Sequence, residues 1–200
     1  AVHEAAKPYG LTWPVDFASK GSSHVGGNLS TNAGGVRVIR YGLTRNWVLG
    51  LTVVTMDGEI LRLNGALEKN NTGIDLRQLF IGGEGTLGVI TEALLKLAPL
   101  PNEARTRVCF FAVRDIAAVL ALFAEARSEA GSRAFLLSAF ECLSAACLRE
   151  VAKFGLRPPF AAGTPGAEAG AYVLMEAEAE LPELFDAWLE RVLGSRMVLD

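Results

Sequence analysis

The chain has 200 residues, enough for one large domain or two small ones and short for three. Half of them are hydrophobic, a fifth are charged, and mean hydropathy is +0.29, so there is material for a packed core and no signature of disorder. A net charge of −3 with no Lys/Arg cluster argues against nucleic acid as a partner.

Cys109, Cys142 and Cys147 form no metal-ligand spacing and are too few for a disulfide scaffold, which fits a reducing, cytoplasmic setting. The longest apolar stretch, around residues 116–124, is far short of the ~18 residues that a membrane span needs. No signal-peptide pattern opens the chain.

Fifteen of the 21 glycines lie in the first hundred residues, whereas alanine rises from eight there to twenty-one in the second hundred. Val2, Ala5 and Ala6, ahead of Pro8, read as a helix already under way at the first residue. Residues 47–55 read as a buried strand that Asp57-Gly58 turns into a second strand over 59–63, a hairpin. Residues 75–80 look helical, and 88–97 form a third strand. Ala98-Pro99-Leu100-Pro101-Asn102 is a proline-punctuated linker.

Beyond it, 106–113 reads as a strand and Asp115 as the cap of a helix to about Ala130, with Ile116, Val119, Leu120 and Phe123 on its apolar face. A strand over 134–140, a helix over 143–154, a Pro/Gly loop over 155–170, a strand over 171–177 and a helix over 182–193 follow. The alternation predicts a small open sheet with helices on one face. The last residue, Asp200, follows no polar tail, so the chain reads as a piece of something longer.

The most informative stretch is Gly21-Ser22-Ser23-His24-Val25-Gly26-Gly27-Asn28-Leu29-Ser30-Thr31-Asn32-Ala33-Gly34-Gly35. Five glycines in fifteen residues leave backbone N–H groups unshielded, which suits a diphosphate, the more so if Asn28–Ala33 is a short helix. A close crossing of chain segments would use the same glycines.

A second cluster, Gly82-Gly83-Glu84-Gly85-Thr86-Leu87-Gly88, contains Gly-x-Gly-x-x-Gly. A helical segment precedes it and a strand follows, the reverse of the nicotinamide fingerprint, so cofactor contact and tight packing both stay open. Glu84 is placed to cap a helical turn at Thr86-Leu87. His24 reads as a loop histidine rather than a ligand or base, and Cys142 and Cys147 as core residues rather than a redox pair. Arg37, Arg40 and Arg45 either neutralise phosphate or, more commonly, face solvent or pair with Asp16 and Asp57.

These residues carry a resemblance. Gly21–Gly35, then Val36-Arg37-Val38-Ile39-Arg40-Tyr41-Gly42, then the run from Asn70-Asn71-Thr72-Gly73 to Gly88-Val89-Ile90-Thr91, resemble the FAD-linked oxidases of the vanillyl-alcohol oxidase type. The likeness is to the branch of D-lactate, D-2-hydroxyglutarate and glycolate dehydrogenases, unbroken over roughly residues 8–101 and looser beyond.

The resemblance implies an α+β fold. Residues 1–101 would be the C-terminal part, or second subdomain, of the FAD-binding domain, and 102–200 the beginning of an α+β, ferredoxin-like substrate-binding cap. It implies FAD, with cofactor contacts at Gly21, Ser22, Gly26, Gly27, Asn28, Thr31, Asn32, Gly34 and Gly35 toward the diphosphate and flavin. Glu84, Gly85, Gly88 and Ile90 would meet the adenosine end.

It also implies an upstream diphosphate loop and a downstream histidine-bearing cap segment that binds substrate and metal. With only His3 and His24, both before the linker, no catalytic residue and no metal ligand is assigned here. The implied reaction is oxidation of a small D-2-hydroxy acid to the 2-oxo acid, with a quinone or an electron-transfer protein as acceptor. A homodimer and a peripheral place at the inner membrane are compatible with it. The rival readings are an oxidase returning electrons to oxygen, a subunit of a multi-chain glycolate oxidase, and a non-catalytic module whose glycine loops only pack.

Overall fold

A computed structural model describes residues 1–132 and 134–200. They form two compact units, Ala1–Leu100 and Pro101–Asp200.

The first unit opens with helix α1 (Val2–Ala6), followed by a single 3-10 turn in which Pro8 supplies a fixed φ and Gly10 closes in the left-handed region. Strand β1 (Leu11–Thr12) leads to helices α2 (Val25–Ser30) and α3 (Val38–Tyr41), then to the hairpin β2 (Val48–Val54) and β3 (Ile60–Leu63). Gly58, at φ 86°, makes the turn that Asp57-Gly58 predicts. Helix α4 (Arg77–Phe80), strand β4 (Val89–Leu95) and the short β5 (Ala98–Pro99) complete the unit.

The sheet is antiparallel in the order β3-β2-β4. Its central strand buries Val48, Leu51 and Val53 against Leu29 of α2 and against Ile81, the residue after α4. A register shift at Thr52/Val53 leaves Thr91 as the extra residue of β4, and its hydroxyl donates to the Thr52 carbonyl at 3.2 Å. Ala98-Pro99, expected as linker, is instead a strand paired antiparallel with β1. A proline fits there because a two-strand edge pairing needs few of its N–H groups.

The second unit alternates β6 (Thr106–Val113), α5 (Ile116–Gly131), β7 (Leu136–Ser144), α6 (Ala145–Ala152), β8 (Ala171–Glu178) and α7 (Pro182–Leu193). All pairings are antiparallel, with β8 between β6 and β7. Asp115 caps α5 by accepting the Ala118 N–H at 2.9 Å. Ser144 ends β7 and caps α6, so the helix starts at Ala145 rather than at Leu143.

Three expectations fail here. The buried face of α5 is Ala118, Val119, Leu122 and Ala126, while Ile116 and Leu120 are exposed. The alanines let the helix sit close to the sheet, which outweighs the larger but misdirected aliphatic side chains.

Helices also cover both faces. Phe111 and Val113 point to a core shared with α5 and α7, whereas Phe110 and Ala112 point to a second cluster with Tyr172, Leu148 of α6 and Phe160 of the loop. Cys142 and Cys147 are exposed, not core residues. Cys142 lies in the C-terminal half of β7, an edge strand of the sheet, and Cys147 sits in the first turn of α6.

Candidate cofactor cleft

The first glycine segment folds as a helix earlier than expected. Helix α2 runs over Val25–Ser30, not Asn28–Ala33, because His24 is extended (φ −105°, ψ 140°) and stands at the N-cap. Its imidazole makes no capping bond, so the first-turn N–H groups, including those of Gly26 and Gly27, have no intrahelical acceptor. Asn28 and Leu29 form the inner side of α2. A methyl group added at Gly26 or Gly27 would meet nothing within 4 Å, so this backbone faces open space.

The chain then reverses at Asn32, which is left-handed at φ 48°. Ala33 N–H returns to the Asn28 carbonyl at 2.8 Å, and the Thr31 hydroxyl to Gly27 O at 2.9 Å.

The second glycine cluster docks on the end of that helix. Gly82 N–H donates to Leu29 O and Glu84 N–H to Ser30 O, each at 3.0 Å, satisfying carbonyls that a helix C-terminus leaves open. Glu84 (φ 49°) and Gly85 (φ 78°) are both left-handed, so no helical turn forms at Thr86-Leu87 and Glu84 caps nothing there. The Thr86 hydroxyl donates instead to Gly83 O at 2.6 Å.

This docking opens a cleft of about 320 Å³. Gly26, Gly27 and Ser30 line one wall, Phe80 closes an end, and Gly85, Gly88, Val89 and Ile90 line the other wall. The two glycine clusters, some sixty residues apart in the chain, thus share one concave surface. Ser30, Phe80 and Val89 were not named from the sequence, since a helical Phe beside a glycine turn carries no signal distinguishing a cleft wall from core.

The remaining glycines have other work. A methyl at Gly35 would lie 2.1 Å from the Asp16 carbonyl oxygen, and one at Gly88 would lie 2.6 Å from Val54 O. At Gly34 it would press on Leu43 at 3.1 Å. Their missing side chains are spent on close crossings, while Gly21, like Gly26, Gly27 and Gly85, faces open space. Ser22 lies in an exposed turn, its hydroxyl on Ser19 O at 3.2 Å. Asn32 accepts the Arg45 N–H at 3.0 Å.

Among the described residues no charged side chain lines the cleft, so its polarity is that of backbone and of Ser30. Lys20 and Arg37 both pair with Asp16, at 2.8 and 3.6 Å. Asp57 takes a hydrogen bond from the Thr55 hydroxyl rather than an arginine. Arg45 pairs with no carboxylate: its guanidinium donates to Gln78 Oε1 at 3.2 Å and to Ile81 O at 3.1 Å.

A second hollow of about 340 Å³ lies beside α2 between His3, Trp13, Lys20, His24 and Asn28. Burial holds the His3 imidazole below its ordinary pKa, which favours the neutral ring, and its Nδ1 lies 3.1 Å from the Thr12 hydroxyl. In the second unit an apolar hollow of about 340 Å³ lies between α6, the Pro158-Pro159-Phe160 segment and Tyr172. Among the described residues no group of His, Cys, Asp and Glu is arranged to hold a metal ion, and no helix is long and apolar enough to cross a membrane.

Open backbone on two facing glycine turns, with orphan N–H groups and no competing side chains, fits an extended dinucleotide bearing a diphosphate. Comparison with known proteins points the same way. Residues 1–64 match the FAD binding domain. D-2-hydroxyglutarate dehydrogenase from Xanthomonas citri is 48% identical over 161 residues, 80% of this chain and 33% of that protein.

The Stutzerimonas stutzeri enzyme of the same name is 44% identical and the mitochondrial enzyme of Bos taurus 42% identical, each across 100% of this chain. They are matched over 41% and 36% of their own lengths, so the chain spans between a third and two-fifths of these relatives. A solved structure of alkyldihydroxyacetonephosphate synthase superposes on 96% of this chain and 36% of its own, with a TM-score of 0.66 at 19% identity. At that identity the likeness bears on the fold alone, an α+β architecture. The cofactor of the matched domain is FAD.

Proposed function

We propose, from the premise that this chain is related to the FAD-linked oxidases, that it contributes part of the FAD site and the opening of the substrate cap in an enzyme that oxidises a D-2-hydroxy acid to the 2-oxo acid. The observation that carries the reading is the cleft in which Gly26-Gly27 faces Gly85–Ile90. Residues 1–101 belong in this reading to the FAD-binding domain and 102–200 to the cap. The names of the relatives supply the substrate, D-2-hydroxyglutarate.

FAD, when bound, supplies the two-electron acceptor. The chain's own part is to bind and orient. The open N–H groups at the start of α2 hold the diphosphate, and the Gly85–Ile90 backbone approaches the adenosine end. Phe80 and Val89 exclude water from the cleft. Gly21, Ser22, Asn28, Thr31, Asn32 and Glu84 extend the contact surface, with Gly34, Gly35 and Gly88 shaping the backbone that presents it.

Electrons leave to a quinone or an electron-transfer protein, and the enzyme works in the cytoplasm, where its three free thiols stay reduced.

The test is anaerobic mixing of the full-length protein with D-2-hydroxyglutarate, D-lactate and glycolate while flavin absorbance is followed. D-2-hydroxyglutarate should bleach the flavin, and its L-enantiomer should do so far more slowly, since a cap that fixes the carboxylate and hydroxyl presents one face of the α-carbon. Bleaching by an aryl alcohol or an amine and by no hydroxy acid would overturn the substrate class. Protein that holds no flavin would overturn the cofactor site.

A further inference from the structure

Arg45 lies outside the cleft, yet its three bonds join the two segments that form it. Its backbone N–H donates to Asn32 Oδ1 at 3.0 Å, at the left-handed turn that ends the first glycine segment. Its guanidinium donates through Nη2 to Ile81 O at 3.1 Å, immediately before the second glycine turn.

The other nitrogen, Nη1, is aimed by Gln78 Oε1 at 3.2 Å, and Gln78 Nε2 is in turn held by Asp75 at 3.1 Å. Asp75 also binds Arg77 Nε at 2.7 Å, and Arg77 donates to the carbonyls of Val48 and Leu49 in β2. A continuous polar chain therefore runs from the Asn32 turn to the central strand, with Arg45 as the link that spans both cleft walls.

The spacing at that link is tight. A methyl group at Gly82 would sit 3.1 Å from Asn32 Cβ and 3.4 Å from Arg45 Nη2, so the second turn lies directly against both. Ile81 is 1% exposed, and a half-buried guanidinium on its carbonyl is a charge-assisted bond in a partly dehydrated place, where such bonds are strongest.

We propose that Arg45 is a positioning residue of the FAD site: by tying Ile81 to the Asn32 turn it sets the separation of the Gly26-Gly27 and Gly85–Ile90 walls, and with it the affinity for the cofactor. This rests on the cofactor reading above. A guanidinium that merely faced solvent, or that met the phosphate itself, would not make the two side-chain bonds to Gln78 and Ile81.

The experiment uses the full-length flavoenzyme, stripped of FAD and titrated back, with Arg45→Met, Arg45→Lys, Gln78→Leu and the core variant Leu51→Ala. FAD affinity is read by flavin fluorescence, cleft geometry by visible circular dichroism of the bound flavin, and apoprotein stability by thermal melting. Arg45→Met should raise the FAD dissociation constant about tenfold and change the flavin dichroism, in keeping with loss of a charge-assisted bond. Arg45→Lys, which keeps one of the two side-chain bonds, should recover part of the loss.

Leu51→Ala, in the same core cluster but paired with Leu63 and Ala93 rather than with a cleft residue, should lower the melting temperature as much or more while leaving the affinity within about twofold of wild type. If Arg45→Met does not fold, Gln78→Leu, which frees Nη1 and leaves Ile81 bonded, should still weaken FAD about threefold. An unchanged dissociation constant in folded Arg45→Met, or equal losses of affinity in Arg45→Met and Leu51→Ala, overturns the proposal alone. Wild-type protein that binds no FAD overturns the cofactor reading and the proposal with it.

Discussion

The two units reach order by different means. In the second, eighteen of the described residues form one buried cluster that includes the inner sides of α5 and α7, with Phe135, Phe185 and Trp188 meeting edge-on or tilted at ring-centroid distances of 5.0–5.5 Å. In the first, the sheet cluster has five buried residues. Much of what holds its loops is polar and local: Arg45 on Ile81, Arg77 on β2, the Thr44 hydroxyl on Ala33 O at 2.8 Å, and glycine N–H groups on the end of α2. A unit that must leave backbone accessible to a ligand cannot also cover it with apolar side chains. Its stability shifts to hydrogen bonds and close crossings, which tolerate substitution in a different way.

The largest expected effect falls in the second unit. Trp188→Ala should cost about 3–5 kcal/mol in denaturant unfolding, from lost burial and a residual cavity. Trp188→Phe should cost far less than that, because the Trp188 indole N–H is buried with no hydrogen-bond partner among the described residues and its removal forfeits no bond to them. Equal costs would show that the indole nitrogen has a partner in solution.

Next comes Gly35→Ala. Its added methyl would lie 2.1 Å from backbone that also accepts the Val36 N–H, so the crossing must open, at a cost of about 1–3 kcal/mol or more. FAD affinity should fall only in step with stability. Gly27→Ala inverts the pattern. With open space at Cβ and a helical backbone, the apoprotein should hold its stability or gain up to about 1 kcal/mol in thermal melting, while FAD binding weakens. Parallel losses at Gly27 would favour packing over cofactor contact for α2.

The smallest effect concerns the polar ties themselves. Hydrogen bonds from Arg77, and further ones from Gln78, hold the Asp75 carboxyl below the ordinary carboxylate range. A folded-state pKa below the unfolded value of about 3.9 means that the contribution is present above that pH and is lost as pH falls through the folded value. Asp75 is partly solvated, so wild type and Asp75→Asn should differ by less than about 1 kcal/mol near neutrality and converge as pH falls through the folded-state value in urea titrations. A difference that persists in acid would place the tie elsewhere in the network.

Local rules account for much of the architecture. Asp57-Gly58 specifies the hairpin turn, Asp115 starts α5 one residue on, and Pro182 at the first helical position begins α7, because each acts through its own backbone and needs no distant partner. The reversed order of elements around Gly83-x-Gly85-x-x-Gly88, helix before and strand after, is likewise legible in the sequence and is what α4 and β4 show. The glycine segments stand out by composition alone.

What those glycines do was decided only in three dimensions. Gly26 and Gly35 look alike in the sequence, but one faces open space and the other lies against Asp16, a contact set by where a separate segment crosses. The same holds for α5, whose buried side is Ala118, Val119, Leu122 and Ala126, and for Cys142 and Cys147, which are exposed although their local sequence does not mark them as surface. Arg45 is the clearest case. A charge between Thr44 and Asn46 reads as surface, and only the docking of a turn nearly forty residues away makes it the tie across the cleft, since the carbonyl and amide it binds are distant in the chain.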